Sequence, residues 1–117
     1  MTGINRIGVG QRMSQAVAYG NIVFLAGQVA LRTPGASIAE QTKDILAKTD
    51  ELLAEAGSDK TKLLSATIWL TDIATFGEMN EVWDAWVAPG NAPTRACVEA
   101  KLAAPQFTVE IAVIAAV

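Results

Sequence analysis

The sequence predicts an α+β fold in which two helices pack on one face of a mixed β-sheet. Two segments carry apolar residues at the 3.6-residue period of a helix, and the segments around them alternate with the two-residue period of a strand. Their order along the chain is strands, helix, strand, helix, strands. A chain of 117 residues fits a single domain, residues 1–117.

The N-terminal third reads as a short strand followed by a hairpin. The first strand is expected within residues 3–9, where Gly8-Val9-Gly10 is interpreted as a turn because no helix follows it. Residues 17–19 and 22–25 flank Gly20-Asn21, a pair typical of a tight hairpin. Thr33-Pro34-Gly35 then ends the strand pattern.

Two helices and a central strand follow. Ser37 and Glu40 have the spacing of a capping box, so the first helix should begin at Ser37, and Gly57 should end it. The second helix should begin at Thr75 and end at Pro89-Gly90. The expected apolar stripes are Ile38, Ile45, Leu46, Leu52 and Leu53 in the first helix, and Phe76, Met79, Val82, Trp83 and Trp86 in the second. Between the helices, residues 62–72 predict a buried strand with Leu64, Ala66, Ile68 and Leu70 facing one way.

The C-terminal strands carry the candidate chemistry. Residues 95–102 alternate, so one face should be apolar and lie on the core, and the other should reach water, a partner or a ligand. A second strand, residues 107–117, is apolar except for Thr108 and Glu110. If the two strands pair antiparallel, Glu110 can approach Arg95 across the sheet. The apolar face consists of Ala96, Val98, Ala100 and Leu102, and the other of Arg95, Cys97, Glu99 and Lys101.

Two interpretations of Arg95 and Glu110 remain open from the residue types alone. One is a structural ion pair at a sheet edge, which is common in interfaces. The other is a binding site in which the planar guanidinium of Arg95 holds a substrate carboxylate while Glu110 orients or activates a water molecule. Asn80, among apolar neighbours on the second helix, either bonds to the backbone or reaches this site.

Composition limits the classes of function. Hydrophobic residues make up 51% of the chain and charged residues 18%, so a homo-oligomer is expected to bury part of the apolar surface. The net charge of −3 and the scattered cations argue against nucleic acid as main partner. No apolar run suits a membrane span and no targeting segment is evident. A single cysteine rules out an internal disulfide, which fits the cytoplasm.

The absence of histidine is a strong constraint on the chemistry. It excludes Ser-His-Asp and Cys-His catalysis and imidazole-bound zinc, and one cysteine cannot form a thiolate cage, so no metal site is expected. Catalysis must use carboxylates, Arg95, hydroxyls, the thiol or backbone groups. Cys97 is either a passive wall residue or a thiol whose thiolate is favoured by the neighbouring Arg95.

These segments resemble a known family. Residues 92–99, APTRACVE, together with Val109-Glu110-Ile111, are similar to the signature of the RidA family, also called the YjgF family. The resemblance extends to residues 14–17, to the Gly20-Asn21 hairpin, to Ala26-Gly27-Gln28 and to residues 71–80, and it covers nearly the whole chain. The segment from residue 62 to residue 100 looks most like the YoaB branch.

The resemblance implies a chorismate-mutase-like fold and a homotrimer with sites in clefts between subunits. It also implies a role in metabolite damage control, as an enamine/imine deaminase that hydrolyses reactive 2-imino acids to 2-oxo acids and ammonia without metal or cofactor. The implied residue roles are carboxylate binding by Arg95, water activation by Glu110, and pocket lining by Cys97, Asn80 and Gly27.

Two departures from the family pattern concern the substrate. Met13 takes the place of a tyrosine in the pocket, and Ala26 takes the place of a serine. The alternative function is therefore a non-catalytic trimer that binds or senses a small carboxylate such as a keto acid. A third possibility, an endoribonuclease or translation inhibitor as attributed to some relatives, is disfavoured by the acidic balance and the lack of histidine.

Overall fold

The computed structural model describes residues 3–117, which form one six-stranded mixed sheet and two α-helices. The strand order is β1-β2-β3-β6-β4-β5, in which β4 and β5 are parallel and every other neighbouring pair is antiparallel. The predicted α+β class and the order of elements are confirmed. The elements are β1 (Asn5–Ile7), β2 (Ala16–Tyr19), β3 (Ile22–Leu25), α1 (Ile38–Glu55), β4 (Leu63–Leu70), α2 (Phe76–Trp86), β5 (Thr94–Glu99) and β6 (Val109–Ala116).

Local signals place the hairpin and the first helix as expected. Tyr19 pairs with Ile22, and Gly20 between them has a φ of +63°, the positive value that a type II′ turn requires at its first central position. The Ser37 hydroxyl accepts a hydrogen bond from the Glu40 N–H at 3.2 Å, and Gly57 follows α1 with a φ of +82°.

The start of α2 differs slightly from the prediction. Thr75 directly precedes the helix, but its side chain makes no capping hydrogen bond. Instead a 3₁₀ turn, Ile73–Thr75, leads into α2, and the Asp72 carboxylate caps that turn by accepting from the Ala74 N–H at 2.9 Å. The short carboxylate therefore acts one turn earlier than the sequence suggested.

One position of β4 contradicts the predicted alternation. Leu64 is 45% exposed, whereas Leu63 is buried in its place. The pairing with β6 shifts between Leu63 and Ser65, which marks a β-bulge, and an extra residue in a bulge moves the side chains before it to the other face. Beyond the bulge Ala66, Ile68 and Leu70 face the core as predicted.

The two faces of the sheet have different surroundings. On one face, here called the helix face, buried strand residues form a single core with the apolar stripes of α1 and α2. The other, here called the open face, includes Val17, Phe24, Trp69, Val98, Ala112 and Ile114. Phe24 and Val98 are 48% and 47% exposed, and a contiguous apolar surface of this kind is typical of a protein–protein contact.

The faces of β5 are the reverse of the prediction. Alternation holds, but Arg95 pairs with buried Ala66 and Cys97 with buried Ile68, which places both on the helix face. Ala96 and Val98 lie on the open face and are exposed. Alternation identifies residues that share a face, and only the position of the helices decides which face is covered.

No helix within residues 3–117 has the length and apolar character to cross a membrane.

Candidate functional site

Arg95 lies near the start of β5, at the edge of the sheet, and α2 holds its side chain. Nη1 donates a hydrogen bond of 2.7 Å to Oδ1 of Asn80. The guanidinium carbon lies 5.4 Å from the ring centre of Trp83 and 5.7 Å from that of Phe76, within the range of cation–π attraction. The cation is therefore fixed by one charge-assisted hydrogen bond and two aromatic rings.

The spacing within α2 explains this arrangement. Phe76, Asn80 and Trp83 are four and three residues apart, so they lie along one stripe of the helix. Trp83 is buried in the core while Asn80 is only partly buried, so its amide reaches the sheet edge. Of the two interpretations of Asn80, the one that places its amide against Arg95 agrees with the structure. Trp83, interpreted from sequence as a core residue alone, also contacts Arg95. The same interpretation of Phe76 is wrong, because Phe76 is 39% exposed and lies beside the guanidinium instead. The spacing that both share with Asn80 was the available signal.

Arg95 has no carboxylate partner within residues 3–117. The ion pairs in this part of the chain join Arg32 to Glu51 and Lys43 to Glu40. A guanidinium carries five N–H donors, and Asn80 occupies a single Nη1–H, so the remaining donors are available to an acidic ligand.

The predicted approach of Glu110 to Arg95 across the sheet is wrong within one chain. β5 and β6 are not neighbours, because β4 lies between them and pairs parallel with β5. Glu110 pairs with Trp69, which pairs with Val98, so Glu110 lies on the open face. Arg95 lies on the helix face, and the structural ion pair is therefore not formed.

Glu110 lies instead against the backbone of Gly27. A Cβ atom at Gly27 would overlap the carboxylate Oε2 and come within 2.9 Å of its carbon, so any other residue here would displace the carboxylate from this position. The side chain is partly buried, and this loss of hydration raises the pKa of Glu110 above its ordinary value. The structure thus brings together Gly27 and Glu110, both predicted to be site residues.

The strand pairing beside Gly27 contains a bulge. β3 pairs with β6 as far as Phe24 and Ile114, and pairing resumes between Gln28 and Ile111. The chain advances four residues from Phe24 to Gln28, whereas β6 advances only three from Ile111 to Ile114. One extra residue therefore lies between Leu25 and Gln28. The bulge was not predictable from the sequence, because a single glycine inside a strand pattern is its only signal.

Cys97 lies two residues after Arg95, partly buried on the helix face and packed against the core. Burial raises the pKa of the Cys97 thiol, and the nearby charge of Arg95 opposes this only in part. Arg95 therefore favours the thiolate without overcoming the effect of burial, and the net direction fits a wall residue better than a reactive thiol. Met13 lies in the loop between β1 and β2, 47% exposed, and its carbonyl accepts from the Gly10 N–H at 2.8 Å.

The site residues thus form two groups. The arginine group, Arg95, Asn80 and Cys97, lies on the helix face, and the glutamate group, Glu110 and Gly27, lies on the open face. The first can bind a small anion, and the second can accept and return a proton. Within residues 3–117 no three acidic, thiol or imidazole side chains cluster closely enough to hold a metal ion.

Comparison with known proteins identifies close relatives. The family described as Endoribonuclease L-PSP matches residues 3–117. A RutC family protein of Haemophilus ducreyi is 43% identical, covering 97% of both chains, and the RutC family protein YoaB of Escherichia coli is 41% identical, covering 97% of this chain and 98% of its own. The crystal structure of a YjgF family member from Neisseria meningitidis is 48% identical, with a TM-score of 0.94 over 97% of this chain and 94% of that one.

A more distant relative has a name that states an activity. The 2-iminobutanoate/2-iminopropanoate deaminase of Rattus norvegicus is 32% identical over 87% of this chain and 77% of its own. The family match over residues 3–117 and the near full-length similarity to YoaB agree with the motifs around Arg95 and Glu110. The chain therefore belongs to the RidA (YjgF) family, in its YoaB-like branch.

Proposed function

We propose that this protein is a cytoplasmic, homotrimeric imine deaminase that hydrolyses 2-imino acids to 2-oxo acids and ammonia without a cofactor. The observation that carries the proposal is the guanidinium of Arg95, held by Asn80 at 2.7 Å and without a carboxylate partner in residues 3–117. The name of the rat relative supports the choice of substrate class.

In this proposal Arg95 binds the substrate carboxylate. The hydrogen bond to Asn80 and the rings of Phe76 and Trp83 restrict the rotation of the guanidinium before the ligand arrives. Little conformational entropy is then lost on binding, and the planar fork can donate two parallel hydrogen bonds to a carboxylate.

The second group of the site comes from a neighbouring subunit. Arg95 and Glu110 lie on opposite faces of one sheet, so a single chain does not present both to the same small molecule. Arg95 is on an edge strand, and the open face that carries Glu110 is apolar, so packing of one subunit's edge near its neighbour's open face would unite the two groups. The apolar character of the open face supports such packing.

The reaction needs few groups because a protonated imine is already electrophilic. Water attacks the imine carbon, a C–O bond forms, and the C=N π pair moves to nitrogen. Glu110 accepts one proton from the water and returns it to nitrogen. The C–N bond then breaks, the carbonyl forms, and the hydroxyl proton passes to the departing ammonia, so an iminium and water become a 2-oxo acid and ammonium. Orientation of the two reactants is the main contribution expected from the protein.

The environment of Glu110 suits this exchange of protons. A carboxylate of ordinary pKa is a weak base, and burial raises the pKa of Glu110 toward the working pH. The close packing against Gly27 also limits the orientations of the carboxylate.

Two positions favour a different substrate range or the non-catalytic alternative. Met13 supplies no phenol hydroxyl, and Ala26 supplies no side-chain hydroxyl beside Gly27. A trimer that binds a keto acid through Arg95 without turning over an imine is therefore the second candidate function.

The test couples an amino-acid oxidase to trapping of the released imine by semicarbazide. Wild type should lower the trapped imine, and Arg95→Ala should lose at least about tenfold of this effect, since hydrogen bonds to a charged group are worth roughly 1.5–3 kcal/mol. Arg32→Ala, which removes an exposed arginine paired with Glu51, should act like wild type.

Two results would contradict the deaminase. If wild type fails to lower trapped imine for several 2-imino acids, the deaminase proposal fails, and titration with keto acids then tests the binding protein. Equal activity of Arg95→Ala and wild type would remove Arg95 from the site. The trimer is tested separately by sedimentation equilibrium, where a monomer at micromolar concentration would contradict it.

A further inference from the structure

The bulge between Leu25 and Gln28 is fixed by more than strand pairing. At its far end the Gln28 N–H donates to the Ile111 carbonyl at 2.8 Å, and the Ile111 N–H donates back at 3.1 Å. At its near end the Ala26 N–H donates to the Gln15 carbonyl at 2.9 Å instead of to β6. Bulges of this kind redirect a side chain near functional sites.

The side chain of Gln28 ties the two ends together. It is only 4% exposed, and its Nε2 donates to the Ala26 carbonyl at 3.0 Å and to Oε1 of Gln15 at 3.1 Å. Both amide hydrogens are thus used inside the bulge. A buried amide left without these partners would be costly, so the bonds hold the bulge in one conformation.

This conformation decides where the Glu110 carboxylate can lie. Gly27 is between Ala26 and Gln28, the two residues that the amide joins. The carboxylate contacts Gly27 so closely that a Cβ there would overlap it. A change in the bulge would therefore move the surface on which the carboxylate lies.

We propose that Gln28 is a positioning residue whose buried amide holds the bulge in the shape that seats the Glu110 carboxylate against Gly27. Its effect on catalysis rests on the deaminase function proposed above, whereas its effect on Glu110 itself does not. Gln28 acts on Glu110 through the backbone of the bulge, because its side-chain donors bond to Ala26 and Gln15.

The test measures Glu110 and turnover in the same variants. Gln28→Leu removes both donors with little change in volume. The pKa of Glu110, followed by carboxyl NMR titration of the resting protein, should fall toward its ordinary value as water enters the loosened bulge. In the imine assay kcat should fall about tenfold while KM stays near wild type, because Arg95 is untouched.

Gln41→Leu is the matched control. Gln41 is also fully buried, and its Nε2 donates to the carbonyls of Ala36 and Gln106, both at 3.0 Å. Its Oε1 also accepts from the Thr108 N–H at 3.0 Å, just before β6, so Gln41→Leu should lower stability, but the substitution removes no bond made by the bulge. The pKa of Glu110 and kcat should therefore match wild type at a temperature at which the variant is folded.

A second variant covers the case in which Gln28→Leu does not fold. Gln15→Met removes only the Oε1 acceptor, so Gln28 keeps its bond to Ala26. It should change the pKa of Glu110 and kcat in the same direction as Gln28→Leu, by a smaller amount.

Two outcomes would overturn the inference. One is a folded Gln28→Leu, or Gln15→Met in its place, with the Glu110 titration of wild type. The other is a Gln41→Leu variant that changes this titration equally. The titration separates this inference from the proposed function. If wild type accelerates no imine but Gln28→Leu still changes the pKa of Glu110, the deaminase fails and the positioning role stands.

Discussion

The arginine group and the glutamate group of this sheet are built in opposite ways. Arg95 is at an exposed edge, and its charge is supported by an amide oxygen and two aromatic rings. Glu110 is partly buried against a glycine backbone, and burial alone raises its pKa. The first environment favours a permanent charge that can receive an anion, and the second favours a group that exchanges a proton.

Their placement on opposite faces preserves both properties within one chain. If the two side chains were neighbours on one face, an ion pair would occupy the donors of Arg95 and would lower the pKa of Glu110. The intervening strand β4 prevents this pairing. Under the proposed function, a site that uses both groups is completed by assembly of subunits.

The largest effect is expected from mixing two inactive variants. Arg95→Ala and Glu110→Gln should each lose the acceleration of imine hydrolysis. If a site takes Arg95 from one subunit and Glu110 from its neighbour, random trimers from an equal mixture, refolded together, should recover about one quarter of wild-type activity. Mass spectrometry would show whether mixed trimers form. If they form and no activity is recovered, the site does not take Arg95 and Glu110 from different subunits, and completion of the site by assembly is contradicted.

The next effect concerns the contact between Gly27 and Glu110. Gly27→Ala should reduce kcat by about tenfold, because a displaced carboxylate no longer orients water. The backbone at Gly27 has no positive φ, so only the clash with Glu110 opposes alanine there. Crystallography of the variant and the imine assay would check both parts.

Gly77→Ala is the matched control for this prediction. A Cβ at Gly77 would meet nothing within 4 Å, and the residue lies in α2, so alanine should stabilise the protein by up to about 1 kcal/mol and leave kcat unchanged. Equal activity of Gly27→Ala and wild type would show that the position of the Glu110 carboxylate against Gly27 does not affect turnover.

The elements of the fold were predictable because their signals are local. The Ser37 cap, the Gly57 stop and the Gly20 turn each depend on a few adjacent residues, and each was confirmed. One exception is Leu64, which is exposed because a bulge in β4 interrupts an alternation that the sequence shows as continuous.

The site was less predictable because it depends on the order of strands. The pairing of Arg95 with Glu110 assumed that the last two strands are neighbours, but β6 inserts between β3 and β4. That insertion is a long-range choice with no marker in either strand. The contact of Asn80 with Arg95 likewise required the position of α2 relative to the sheet edge, which the helical period alone does not give.

A smaller effect is expected for the thiol of the arginine group. The charge of Arg95 opposes the rise that burial causes in the pKa of Cys97. Removing the charge in Arg95→Ala should move the midpoint of the pH–rate profile for iodoacetamide to higher pH and slow alkylation near neutral pH by about twofold. Arg32→Ala should have the wild-type midpoint, and a midpoint at lower pH in Arg95→Ala would contradict the electrostatic contribution.

The smallest effect concerns stability, and its sign distinguishes Glu110 from an exposed, paired carboxylate. The pKa of Glu110 is raised by burial, so the folded protein binds this proton more tightly than the unfolded chain. The contribution of protonated Glu110 to the free energy of unfolding is complete below the ordinary glutamate pKa, and it is lost as the pH rises through the higher pKa of the folded protein. Glu110→Gln removes this loss, so the free energy of unfolding of the variant should increase relative to wild type as the pH rises from below the ordinary glutamate pKa through the folded pKa of Glu110.

Glu51→Gln gives the opposite sign and serves as the control. The hydrogen bond from Arg32 lowers the pKa of Glu51, so its contribution exists above the ordinary glutamate pKa and is lost as the pH falls. Relative to wild type, the free energy of unfolding of Glu51→Gln should therefore decrease as the pH rises. Urea unfolding at fixed protein concentration measures both differences, since assembly of the proposed trimer would make stability depend on concentration. If the stability difference from wild type changed with pH in the same direction for both variants, partial burial of Glu110 would not distinguish it from an exposed, paired carboxylate.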